Sequence, residues 1–158
     1  AKTMEAIDCQ HRRVDEALKA GGAAVGAKAV IETLPGMFPL ACSPRLNDLF
    51  VENIKEYFPE TKIEDAGHFT ASTDMGDISH LMPSIHPFIG GVDGGLHTKD
   101  FCVTDFDAAA ILPGKVFAMN IIDLLYDEAA MAKEILEKEK PILTKEEYLA
   151  KLESYFQS

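Results

Sequence analysis

Positive charge is in short supply in this chain. Its 15 Lys and Arg are outnumbered by 26 Asp and Glu, for a net charge of −11 at neutral pH. A surface this acidic repels phosphate backbones, and no basic stripe offsets it, so nucleic acid is not an expected partner. Cysteine is also scarce. Cys9, Cys42 and Cys102 are odd in number and far apart, and no Cys-x-x-Cys occurs. That usage fits reduced thiols in a cytoplasmic protein. No uninterrupted apolar run reaches about 18 residues, so no membrane span is expected. The first twenty residues scatter Glu5, Asp8, Arg12, Arg13, Asp15 and Glu16 among the apolar positions, unlike a secretory leader. Internal repeats and low-complexity segments are absent as well.

What remains is ordinary globular material: 158 residues, 47% apolar and 26% charged, enough for one domain with its own core. Met4, Ile7, His11, Val14 and Leu18 recur at spacings of three and four and predict a helix over 2–20, closed by Gly21-Gly22. Val30 and Ile31 suggest a strand over 27–34, ended by Pro35-Gly36. Ser43-Pro44 opens a second helix, because Ser caps and Pro loses no hydrogen bond in a first turn. Its stripe is Leu46, Leu49, Phe50, Ile54 and Tyr57. A short strand is expected at 61–65 and a longer, irregular one at 81–89, where Pro83 and Pro87 favour an edge. Beyond residue 100 the pattern is helical again. Val116, Met119, Ile122 and Leu125 form one stripe, and Met131, Ile135 and Leu136 a second that stops at Pro141. Thr144 and Glu147 form a capping box for the last helix.

Residues 68–100 differ from the rest. They hold four of the five histidines, His68, His80, His86 and His97, with clustered glycines and no helical period. The run Ser72-Thr73-Asp74-Met75-Gly76-Asp77-Ile78-Ser79-His80 packs hydroxyls, carboxylates and an imidazole together, and Gly94-Gly95-Leu96-His97-Thr98 follows. Small residues beside polar ones let backbone approach a ligand closely, and imidazole and carboxylate both suit zinc. Such loops are also common as solvated turns. A lone histidine such as His86, set between Ile85 and Pro87, is more often a hydrogen-bonded structural residue than a ligand.

These two segments resemble the metallopeptidase family of aminoacylases and glutamate carboxypeptidase (peptidase family M twenty), nearest its aminobenzoyl-glutamate hydrolase branch. In that branch a Ser-Thr-Asp-x-Gly-Asp segment precedes a Pro-x-x-His-Pro strand, and a Leu-His-Thr segment and an Ala-rich helix ending in Asp-Leu-Leu follow. Here these are residues 72–77, 83–87, 96–98 and Asp123-Leu124-Leu125. The resemblance implies an α/β fold: the C-terminal part of a di-zinc peptidase catalytic domain, a mixed sheet flanked by helices. The last helix and strand of an α+β lid domain would precede it. Residues 1–38 would close the lid, which often dimerises, and 39–158 would belong to the catalytic domain. It further implies two zinc ions in the full-length enzyme, with His97 as the last metal ligand. Thr73, Asp74 and Gly76, joined by Ser72, would line the pocket that meets the substrate's carboxylate. Asp74 and His97 would then lie at the same end of the sheet.

The family's other ligands have no match. There is no His-x-Asp. Cys9-Gln10-His11 imitates Cys-x-His but sits on an amphipathic helix, and Glu146-Glu147 imitates the acidic pair but opens a surface helix, where carboxylates suit the helix dipole. Zinc needs about three protein ligands and an open position to activate water. No catalytic residue is therefore assigned, and the isolated chain is expected to be inactive. The implied activity is hydrolysis of the amide bond in a small N-acyl amino acid or dipeptide, with the missing N-terminal part of the same enzyme as partner and a homo-oligomer as the assembly. The alternative is a non-enzymatic acidic α/β module for binding or oligomerisation.

Overall fold

A computed structural model describes residues 1–65, 67 and 71–156, so His68 lies outside the described residues. The order is α1 (Met4–Ala24), α2 (Pro44–Tyr57), α3 (Met75–Leu81), β1 (Val92–Asp93), β2 (Cys102–Val103), a π-helical turn (Asp107–Ile111), α4 (Leu112–Lys138) and α5 (Lys145–Phe156). Two compact units share these elements. The first takes Ala1–Ala41, Ala66–Met82 and Pro141–Ser158, and the second Cys42–Asp65 and Pro83–Lys140. They interleave along the sequence; the unit edge nearest residue 38 falls between Ala41 and Cys42.

In the first unit α1 is capped by Thr3, whose side-chain oxygen accepts from Ala6 N at 3.2 Å. The helix runs on through Gly21-Gly22, where a stop was expected. Glycine inside a helix costs only about 1 kcal/mol relative to alanine, and the left-handed residue that commonly follows a helix end comes later here. Gly26 supplies it at φ 72°, and Gly22 O accepts from Ala27 N at 2.9 Å. Residues 27–34 are not a strand among the described residues. The β-branched pair there finds no ladder to join, and a strand without a partner leaves its backbone groups to water. Phe38 is the unit's buried anchor. His80 meets its ring edge-on at 5.2 Å and Tyr148 at 5.4 Å. The capping box at α5 forms as read: Glu147 Oε2 accepts from Thr144 N at 2.8 Å, and Thr144 Oγ1 accepts from Glu147 N at 3.2 Å.

The second unit is built on α2 and α4. Ser43 Oγ accepts from Leu46 N at 3.1 Å with Pro44 in the first turn, as read. Phe50, Ile54 and Val116 form the core, with Val116 fully enclosed. The segment 83–89 is in no strand among the described residues, and its one backbone tie of note is Ser84 O, which accepts from Ser43 N at 2.8 Å. Its two prolines remove ladder donors, and it serves instead by setting Ile85 and Ile89 against the core. Residues 61–65 are likewise outside any strand. One carboxamide crosses the core: Asn53 Nδ2 donates to Asn120 Oδ1 and to Asp123 Oδ2, both at 2.8 Å. The two apolar stripes after residue 110 are separate helical stretches, as read, divided by non-helical backbone at Tyr126–Ala129.

By length and average composition the helical run Asp107–Lys138 could cross a membrane. An uninterrupted apolar run is a stricter criterion, which is why the sequence did not suggest one. Much of its apolar surface is bare: Ile121, Ile122, Leu125 and Tyr126 are all exposed. In the first unit Val14 and Leu18, on α1, are also more than half exposed, at 54% and 55%. Bare apolar stripes drive association.

Two outcomes follow. Phe50→Ala empties a buried aromatic site and should cost about 3–5 kcal/mol, read as a lower urea midpoint with an unchanged slope. Sedimentation of the chain should show self-association, and Val14→Glu with Leu18→Glu should shift it toward monomer. A wild-type monomer at high concentration would contradict the role given to that stripe.

Candidate functional site

The polar run at 72–80 folds locally into a turn and a short helix, α3, although it carries no evident period. Thr73 and Asp74 start it: Gly76 N donates to Thr73 O at 2.9 Å and Asp77 N to Asp74 O at 3.0 Å. The last two residues of the run turn back on its glycine. Ser79 Oγ donates to Gly76 O at 2.6 Å, and His80 Nδ1 lies 2.9 Å from the same oxygen. Polar side chains that bond to nearby backbone offer it an alternative to sheet ladders.

Of the residues assigned to a substrate pocket, Ser72 and Asp74 are exposed, Thr73 is half-buried and Gly76 is buried. Gly76 has an evident packing role. A side chain there would run into the carbonyl of Phe38, so only glycine lets α3 lie against that backbone. Ser79 then ties the same stretch by accepting from Ala41 N at 2.9 Å, and His80 O accepts from Leu143 N at 3.0 Å.

His97 belongs to the second unit. It sits exposed in the connection between β1 and β2, a two-residue antiparallel pairing of Val92 with Val103 and Asp93 with Cys102. Gly94, at φ 86°, packs so closely on Asp100 that a side chain would clash there. His97 itself is left-handed at φ 62°, a conformation in which histidine is several-fold enriched among non-glycine residues. Asp74 and His97 thus lie in different compact units. His86, also in the second unit, stacks on Phe88 at 5.9 Å, and its buried Nδ1 has no hydrogen-bond partner among the described residues.

Zinc takes three or four nitrogen, sulfur or oxygen ligands. Among the described residues no three His, Cys, Asp or Glu side chains come together in a way that could hold a metal ion. His97 stands apart from any such group, so the described donors of this chain do not make a zinc site.

The chain is similar to the Xaa-Arg dipeptidase of Mus musculus. The identity is 27% over 139 residues, which is 83% of this chain and 32% of that enzyme. The chain therefore spans about a third of the length of the curated relative it matches. No family model matches it, and no solved structure does. The likeness points towards the peptidases and leaves substrate and metal open.

One concave feature of the first unit was not legible in the sequence. A cavity of about 620 Å³ is lined by Phe38, Leu40, Ile142, Leu143 and His80, together with the start of α1 and charged side chains of α1 and α5. Ser72, Thr73, Asp74 and Gly76 are not part of its lining. The hint available beforehand was the spacing of Gly76 and His80, which puts an imidazole one helical turn beyond a glycine carbonyl. Phe38 and Leu143 carried no such hint, because their meeting depends on distant parts of the chain.

Beside this cavity Asp8 joins α1 to α5. It accepts from Lys151 Nζ at 2.5 Å and from Tyr155 Oη at 2.9 Å. Burial pushes the Asp8 carboxyl up, but the hydrogen bonds from Lys151 and Tyr155, with the charges of Lys151 and His11, outweigh it and hold the group below its ordinary 3.8. The hydrogen bond to Asp8 raises Lys151 above 10.5. A carboxyl depressed on folding adds stability that is present above its unfolded pKa and lost as pH falls through the folded one. Lys151→Met should therefore lower the urea midpoint at pH 7. The gap from wild type should narrow as pH falls below 3.8. A gap that stays constant down to pH 2 would show that the ion pair contributes nothing.

Proposed function

We propose that this chain is the C-terminal portion of a metal-dependent amidohydrolase or peptidase that cleaves the amide bond of small N-acyl amino acids or dipeptides. The observation that carries the reading is the 27% identity with a dipeptidase across 83% of the chain. The Ser-Thr-Asp-x-Gly-Asp and Leu-His-Thr segments add support, since they are the stretches on which the family resemblance rests. The bare apolar face at Ile121, Ile122 and Leu125 is also what a helix shows when the surface that covers it lies in other polypeptide.

In this reading the full-length enzyme would hold two zinc ions, which would supply Lewis-acid chemistry for amide hydrolysis. His97 is one ligand, and the remaining ligands and the general base come from sequence outside these residues. Ser72, Thr73, Asp74 and Gly76 bind and orient the substrate. Thr73 is suited to this by its half-buried hydroxyl, which donates to Asp74 Oδ1 at 3.3 Å and could turn to a substrate carboxylate. Gly76 acts indirectly, by letting that turn seat on Phe38. The assembly is a homo-oligomer, and the setting is cytoplasmic.

The test is the reading frame that contains these residues. Expressed from a frame extended upstream, the protein should show zinc-dependent hydrolysis of dipeptides or N-acyl amino acids, and the 158 residues alone should show none. In the longer protein His97→Ala should lower kcat/KM by roughly 100-fold or more, beyond the 10–100-fold lost with a mere supporting partner. Zinc-dependent turnover by the purified chain alone would overturn the reading. So would a native start and stop enclosing these residues, or a longer protein indifferent to His97.

A further inference from the structure

None of the residues assigned to metal and substrate lines the cavity of the first unit, although Gly76 holds its imidazole, and its chemistry can be read from its walls. His80 is 94% buried, at 6% exposure. Its Nδ1 lies 2.9 Å from Gly76 O. A carbonyl oxygen only accepts, so Nδ1 carries the proton, and in the tautomer with that single proton Nε2 is the acceptor nitrogen. No hydrogen bond to Nε2 forms among the described residues, and Nε2 is not one of the fully enclosed atoms lacking a partner. His80 lines the cavity, and Nε2 is its ring nitrogen without a hydrogen bond among the described residues.

The remaining wall is mostly apolar and includes Phe38, Leu40, Ile142 and Leu143. The charged lining residues nearly cancel. Asp8 is taken by Lys151 and Tyr155, and Glu147 is taken by the Thr144 cap. Lys2 and Glu5 are left, opposite in sign. A volume of about 620 Å³ falls in the range that holds small organic ligands, whose sites pair apolar walls with a few placed polar groups.

We infer that this cavity is a binding site for a small, uncharged, mainly aromatic or apolar molecule bearing one N–H or O–H donor, which bonds to Nε2 of His80. Phe38, already edge-on to the imidazole, forms the wall beside that donor. The site needs no zinc.

Indole and benzofuran make the decisive pair of probes. They share one shape, but only indole carries an N–H, and benzofuran would be favoured by a purely greasy cavity. Titrated into the full chain by calorimetry, indole should bind saturably at one site and at least tenfold more tightly than benzofuran. The imidazole nitrogen signals of His80 should report it, with Nε2 shifting and the Nδ1 proton retained. Leu143→Trp, which fills the cavity from its wall without touching the imidazole's bond to Gly76, should weaken indole at least tenfold while the far-ultraviolet circular dichroism stays unchanged. Equal affinity for the two probes, binding that does not saturate, or indole binding undiminished in folded Leu143→Trp would each overturn the assignment. Zinc or chelator should leave indole affinity unchanged, which separates this site from the hydrolase reading.

Discussion

Phe38, Leu49, Phe50, Ile54, Val116 and Ile135 are the buried hydrophobic side chains among the described residues, and this small amount of burial constrains everything else in the protein. Full burial of a large apolar side chain contributes roughly 1.5–3 kcal/mol, so a core this thin sets against chain entropy only a modest gain. The consequence is visible in α1, which has no buried residue along its whole length. Such a helix depends on its ends and its few polar ties: the Thr3 cap, the Gly26 stop and the Asp8 bonds to α5.

Polar and glycine devices accordingly take up roles that apolar packing fills elsewhere. In the second unit Asn53 joins α2 to α4 through Asn120 and Asp123, and a buried amide with both partners in place fixes the register of two helices as a smooth apolar seam does not. In the first, the missing side chain of Gly76 lets α3 touch the Phe38 backbone, and Ser79 and His80 bond to the carbonyl of Gly76 itself. The cavity is a by-product of this arrangement. It opens where the imidazole, having spent one nitrogen on the backbone, keeps the other for something else.

The part of the chain richest in chemical residues was also the part whose structure was hardest to anticipate. Ser72–His80 lacks an apolar period, because its residues bond to their own backbone rather than to a core, and local bonding of that kind produces a helix without a stripe. The strands expected at 27–34, 61–65 and 81–89 failed in a different way. Their β-branched and apolar content was read correctly, but a strand exists only where a second segment offers its backbone, and among the described residues only Val92–Asp93 and Cys102–Val103 do so. The α/β architecture expected for a peptidase domain depends on strands of this sort, and it remains part of the proposal.

Local chemistry was legible without coordinates. The Ser43-Pro44 start, the Thr144–Glu147 capping box and the division of the last long helical stretch are decided by residues within a few positions of one another, where hydrogen-bond reach and backbone sterics leave little choice. So was the resemblance that names a hydrolase, since it rests on short ordered motifs. The tertiary structure alone decided that Gly76 seats on Phe38, that Asp8 meets Lys151 and Tyr155, and that His80 and Leu143 line one cavity. Each of these joins residues far apart in the chain, and no periodicity encodes them, because which distant surfaces meet is chosen by the burial of the whole set at once.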